Sequence, residues 1–77
     1  MHTIELDFAH DCDHTRDSQN LAQRHGCSVR LLKEFGPAGG NPLYQFTGTR
    51  LNLVSMLSEF CQDRDTLNHQ LTRIRNT

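Results

Sequence analysis

The run His10-Asp11-Cys12-Asp13-His14 packs two imidazoles, a thiol and two carboxylates into five consecutive positions. These are the ligand types that zinc, nickel and copper take. In a tight loop, His10, Cys12 and His14 can converge, and they are the candidate ligands of a transition-metal-binding module. Structural zinc sites, however, normally draw ligand pairs from two separated segments. The competing reading is a solvated acidic loop. There Asp13 caps the following helix, and the carboxylates favour its N-terminal dipole. Cys27 adds no ligand. A helix of about twelve residues spans about 18 Å, which puts Cys27 at the far end of the domain and argues against a Cys12–Cys27 disulfide. The expectation is no cofactor, with His10, Cys12 and His14 as weak metal candidates.

Other local patterns carry weaker chemistry. Gly36-Pro37-Ala38-Gly39-Gly40-Asn41-Pro42 resembles a phosphate cradle only in its glycines. It lacks the Lys-Ser/Thr pair and precedes a strand, so a specific hairpin loop is the better reading. Thr47-Gly48-Thr49-Arg50 opens a helix whose free N–H groups and Arg50 suit an anion, but capping by Thr49 explains the same residues. Tyr44 and Phe46 share one strand face as stacking aromatics do in RNA-binding sheets, yet the basic and glycine residues of that signature are missing. They are expected in the core. His25, just before Gly26, suits a helix C-terminus without any ligand role. His2 and His69 have no evident partner. Serine, histidine and aspartate occur at no spacing that suggests a triad, and catalysis is not expected.

These residues need elements to position them. His2 to Phe8 alternates, with Ile4, Leu6 and Phe8 on one face and Thr3, Glu5 and Asp7 on the other, as a half-buried strand does. A helix follows from Asp13 to about His25, with the thin stripe Ser18, Leu21, Ala22 and His25, and Gly26 ends it as a left-handed cap. Cys27–Phe35 reads as a second strand with Val29 and Leu31 inward. Leu43–Thr47 reads as a third. The stripe Leu53, Val54, Leu57, Phe60 and Cys61 marks a second helix beginning at Thr49. Asp63-Arg64-Asp65 breaks it, and Asp65 is the expected cap of a short helix carrying Leu67, Leu71 and Ile74. The competing reading is one long helix with a coiled-coil-like seam interrupted at Arg64.

The order β-α-β-β-α(-α) is that of an α+β fold. It predicts a ferredoxin-like split βαβ lacking its fourth strand, with helices on one face of a three-stranded sheet. The first strand is then an edge, guarded by Glu5 and Asp7 or paired with a second subunit. Seventy-seven residues make one domain: 1–62 as core, and 63–77 as a C-terminal helical extension.

Composition narrows the partners. Eight basic against nine acidic residues give no general pull toward phosphates. Seven of the eight are arginine, and Arg64, Arg73 and Arg75 gather near the C-terminus. Weak nucleic-acid binding through them is the third reading, and it is disfavoured. Three cysteines without a C-x-x-C pair point to reduced thiols in the cytoplasm. No apolar run is long enough for a membrane span or a signal peptide.

The stretch Gly36–Leu57, GPAGGNPLYQFTGTRLNLVSML, resembles small bacteriophage proteins of uncharacterised function, which share a Gly/Pro-rich hairpin, a short strand and an F-T-G-x-R-like helix start. The resemblance covers about a third of the chain. It implies a phage or mobile-element accessory protein acting in a bacterial cytoplasm, and transfers no site residue. The function expected first is a non-catalytic protein-interaction module. It would homodimerise and bind a host or phage protein, with Leu67, Leu71 and Ile74 as the interface. The His10–His14 metal module ranks second.

Overall fold

Alternation in His2–Asp7 builds a strand, β1, whose Ile4 and Leu6 are almost fully buried. The computed structural model describes residues 1–8, 14–34 and 40–76. Within them follow α1 (His14–Arg24), β2 (Ser28–Lys33), β3 (Leu43–Gly48), α2 (Arg50–Phe60), α3 (Arg64–Leu71) and β4 (Arg75–Asn76). The protein is a small α+β fold, with one four-stranded antiparallel sheet in the order β2-β3-β1-β4.

Two expectations about the sheet are overturned together. There is a fourth strand, and β1 lies inside the sheet rather than at its edge. β1 pairs along its whole length with β3, from His2 opposite Gly48 to Asp7 opposite Leu43. On its other side Thr3 faces Arg75, and His2 faces Asn76. The segment after α3 therefore does not stay helical; it turns at Thr72–Ile74 and returns to the sheet. Arg75-Asn76 gives no strand signal, because two residues cannot show a period. β1 and β2 do run parallel, as the crossover requires, but with β3 between them.

The helices cover one face. Ile4, Leu6 and Phe8 meet Tyr44 and Phe46 from β3, Leu21 and Ala22 from α1, and Leu53, Met56 and Leu57 from α2. Phe8 is the aromatic hub. Its ring lies 5.5 Å from Tyr44 in an edge-on arrangement, 5.3 Å from Phe60 and 6.0 Å from Phe46. Tyr44 keeps its hydroxyl satisfied through Thr15 Oγ1 at 3.3 Å. Ser18, fully buried where α1 meets the core, has its hydroxyl satisfied by donating to the carbonyl of Thr15 at 3.0 Å.

Local signals set most boundaries. Gly26 adopts φ 68°, the left-handed conformation that ends α1. Thr49 Oγ1 accepts from Asn52 N at 3.1 Å and starts α2. The break before α3 is real, but its cap is Asp63 rather than Asp65. Asp63 accepts from Thr66 N at 2.7 Å and Thr66 Oγ1 at 2.9 Å, which holds its carboxyl below the usual range. Asp65 sits in the first turn, where a carboxylate suits the dipole. In β2 the register slips between Leu31 and Lys33. Leu31 precedes this bulge and stays opposite Tyr44, on the face it shares with Val29 and Phe46, but its place on an outer strand leaves it 46% exposed.

Candidate functional site

His10 and Cys12 lie outside the described residues, as does the side chain of His14, whose backbone opens α1. The Asp13 cap and most of the Gly36–Pro42 loop fall outside them too. Among the described residues, no group of three His, Cys, Asp or Glu side chains stands close enough to hold a metal ion. Thr49 is engaged in capping, and Tyr44 and Phe46 belong to the core. Among the described residues, no helix is long and apolar enough to cross a membrane.

Leu67, Leu71 and Ile74 are half-buried and pack against the core of their own chain. The stripe thus has cover within the protomer. Arg73 and Arg75 come together beside β1, whereas Arg64 begins α3 at its other end.

The open places are along the sheet. Among the described residues β2 pairs with β3 alone, and its other edge, carrying Arg30, the exposed Leu31 and Lys33, has no strand beside it. Arg30 Nε donates to Gln45 Oε1 at 3.0 Å across the strands. The second opening follows from the shortness of β4. Only His2 and Thr3 of β1 have β4 partners, so among the described residues Ile4–Asp7 pair with β3 alone. Beside them lies a cleft of about 280 Å³, lined by Thr3, Ile4, Glu5, Thr72, Arg73 and Arg75.

A polar cluster between α1 and α2 was not legible beforehand. Arg24, in the last turn of α1, donates to both carboxylate oxygens of Glu59, with Nε to Oε1 at 3.4 Å. This pairing holds Glu59 below the ordinary carboxylate range and raises Arg24. His25 Nδ1 lies 3.1 Å from Ser55 Oγ, and its buried Nε2 lies 3.5 Å from Glu59 Oε1, beyond a formed hydrogen bond. Serine, imidazole and carboxylate thus stand in one line, reached from positions 25, 55 and 59. The signal that finds them is the i,i+4 pair Ser55 and Glu59 on α2 facing the end of α1. Acyl transfer also needs oxyanion donors, and the N–H groups around Ser55 are committed inside α2. The cluster therefore acts as a pin between two helices.

Both described cysteines are free thiols. Burial pushes Cys27 up; burial, and then the charge of Asp63, do the same to Cys61, so neither is an activated nucleophile. The chain matches no protein-family model, no curated protein and no solved structure.

Proposed function

We propose that the chain is a non-catalytic protein-interaction module that self-associates and binds a protein partner through the free edge of β2. The reading is carried by that edge: a six-residue strand that, among the described residues, has a strand partner on one side alone, with Leu31 exposed in it. Unpaired strand edges are templates for a further strand. The strand order β2-β3-β1-β4, with helices crossing one face, supports a ferredoxin-like split βαβ as the scaffold. The Gly36–Leu57 resemblance supports a phage-type accessory protein of the bacterial cytoplasm.

Arg30 and Lys33 make the edge selective. In a dimer through β2, the two copies bring like charges together, so screening by salt strengthens self-association. An acidic partner strand behaves oppositely and is weakened by salt. Sedimentation equilibrium over a salt series, on the wild type and Leu31→Lys, tests the reading. A dimer that tightens with salt and is lost in Leu31→Lys supports it. A monomer at every concentration and salt removes self-association, and binding elsewhere on the chain removes the β2 edge.

Arg73 and Arg75 side by side favour a second reading, contact with nucleic-acid phosphates. Binding of single-stranded DNA that falls steeply with salt would support it. The carboxylate of Glu5 in the same cleft opposes it.

A further inference from the structure

We infer that the face of the sheet turned away from the helices carries a phosphate-binding site, where β2 meets β3. The site lies on the face of these strands, so it does not depend on strand addition at the β2 edge. The register sets Ser28 opposite Thr47 and Arg30 opposite Gln45. Residues two apart on a strand share a face, and opposite residues do too. The four side chains therefore form one polar square, on the face that Val29, Phe46 and Ile4 do not use. A cleft of about 340 Å³ is lined by these four and Val29. That is near the lower end of the roughly 300–1,000 Å³ that small-ligand sites occupy.

The hydrogen-bond roles in the square select the ligand. Arg30 Nε donates to Gln45 Oε1 at 3.0 Å, which holds the guanidinium in place and occupies the amide's acceptor. What Gln45 has left to offer is its NH₂ group, a donor. Both Nη groups of Arg30 remain, and they are donors as well. The hydroxyls of Ser28 and Thr47 bond to no other described residue and can turn to donate. No carboxylate lines the cleft. Glu5 stands in the same cross-strand row as Arg30, but on β1, two strands and about 10 Å across the sheet, where salt largely screens it. A guanidinium fork with neutral donors around it suits the oxygens of a phosphate. No ring lines the cleft to stack a base, which disfavours a nucleotide. The ligand is a phosphate dianion, free or as the monoester of a phosphorylated side chain.

Three probes are titrated into isotope-labelled protein and followed by amide NMR shifts: inorganic phosphate, the capped tripeptide Gly-phosphoserine-Gly and its unphosphorylated form. At about pH 7.5 both phosphates are mainly dianions, the second pKa being about 6. The site predicts saturable shifts at Ser28, Arg30, Gln45 and Thr47 with the phosphorylated probes, and binding about tenfold weaker or more without the phosphate. Equal binding of inorganic phosphate and phosphopeptide supports a site for the free ion. Tighter binding of the phosphopeptide supports a phosphorylated chain. Arg30→Gln and Ser28→Ala, each folded by its own spectrum, should both weaken binding, the first by about tenfold or more. Arg73→Gln should leave it unchanged. The absence of saturable shifts overturns the inference, as do shifts centred on Arg73 and Arg75. Shifts along Ser28–Lys33 that ignore phosphorylation also overturn it, while leaving the β2 edge reading standing.

Discussion

Phe46 is the side chain on which the packing argument can be tested most sharply. It sits in the middle of β3, fully buried, opposite Ile4 on one side and Val29 on the other, with the Phe8 ring at 6.0 Å. Truncating such a residue to alanine costs about 3–5 kcal/mol, the transfer term plus the cavity left behind. At about 0.05–0.15 kcal/mol per residue, a chain of this length has a total stability of roughly 4–12 kcal/mol. Phe46→Ala therefore consumes a large part of the total, and Phe46→Leu is the measurable perturbation. It keeps an apolar side chain and costs about 1–1.5 kcal/mol. In a domain of this size each kcal/mol lowers Tm by about 4–8 °C. Thermal unfolding followed by circular dichroism should thus show a drop of about 4–12 °C for Phe46→Leu. Leu31→Ala, at the exposed edge, should stay within about 0.5 kcal/mol of the wild type. An unchanged Tm in Phe46→Leu, or a Leu31→Ala variant as damaged as Phe46→Leu, would refute the assignment of core and edge.

The remaining expectations are these. Thr49→Ala removes the cap of α2 and should cost about 1 kcal/mol in urea unfolding, largely restored by Thr49→Ser. Leu71→Arg places a charge against the core side of α3 and should lower Tm clearly; an unaffected Tm would mean that α3 adds nothing to the fold. The carboxyl of Glu59 is held low by Arg24, so its stabilisation is complete above the ordinary value near 4.5 and fades as pH falls below it. Acid-unfolding curves of Glu59→Gln should therefore be flatter in that window than those of the wild type. Cys27 and Cys61, raised by burial, should alkylate slowly at neutral pH and rapidly in urea.

Elements with a period or a special residue were legible in the sequence. The alternation of Ile4, Leu6 and Phe8, Gly26 as a left-handed cap, and Thr49 before an apolar stripe each state their structure locally. What escaped depends on distant residues. β4 is two residues long and exists because β1 offers it a partner, which no local pattern encodes. That one strand moves β1 from edge to interior and leaves β2 as the longer outer strand. Leu31 keeps the face that its alternation assigns, but its strand lies on the outside of the sheet and it stays exposed, which a period does not show. Asp63 and Asp65 are both good caps in isolation, and the helix start chose between them. Of the candidate interface, Leu67, Leu71 and Ile74 carry a helical apolar pattern, but the pattern does not say whether a neighbour in the same chain covers it. The Arg24–His25–Ser55–Glu59 pin needs two helices side by side before any of its residues is informative.

The central place of β1 has a consequence for biosynthesis. β1 leaves the ribosome before both its partners, β3 about 40 residues on and β4 later still. At about 5–20 residues per second, the strand waits on the order of 2–8 s for β3 to be made. Through that interval Ile4, Leu6 and Phe8 have no sheet to join. Glu5 and Asp7, interleaved with them, then serve the nascent chain as much as the finished one. Their charges keep a short apolar strand soluble until the partner that buries it has been translated.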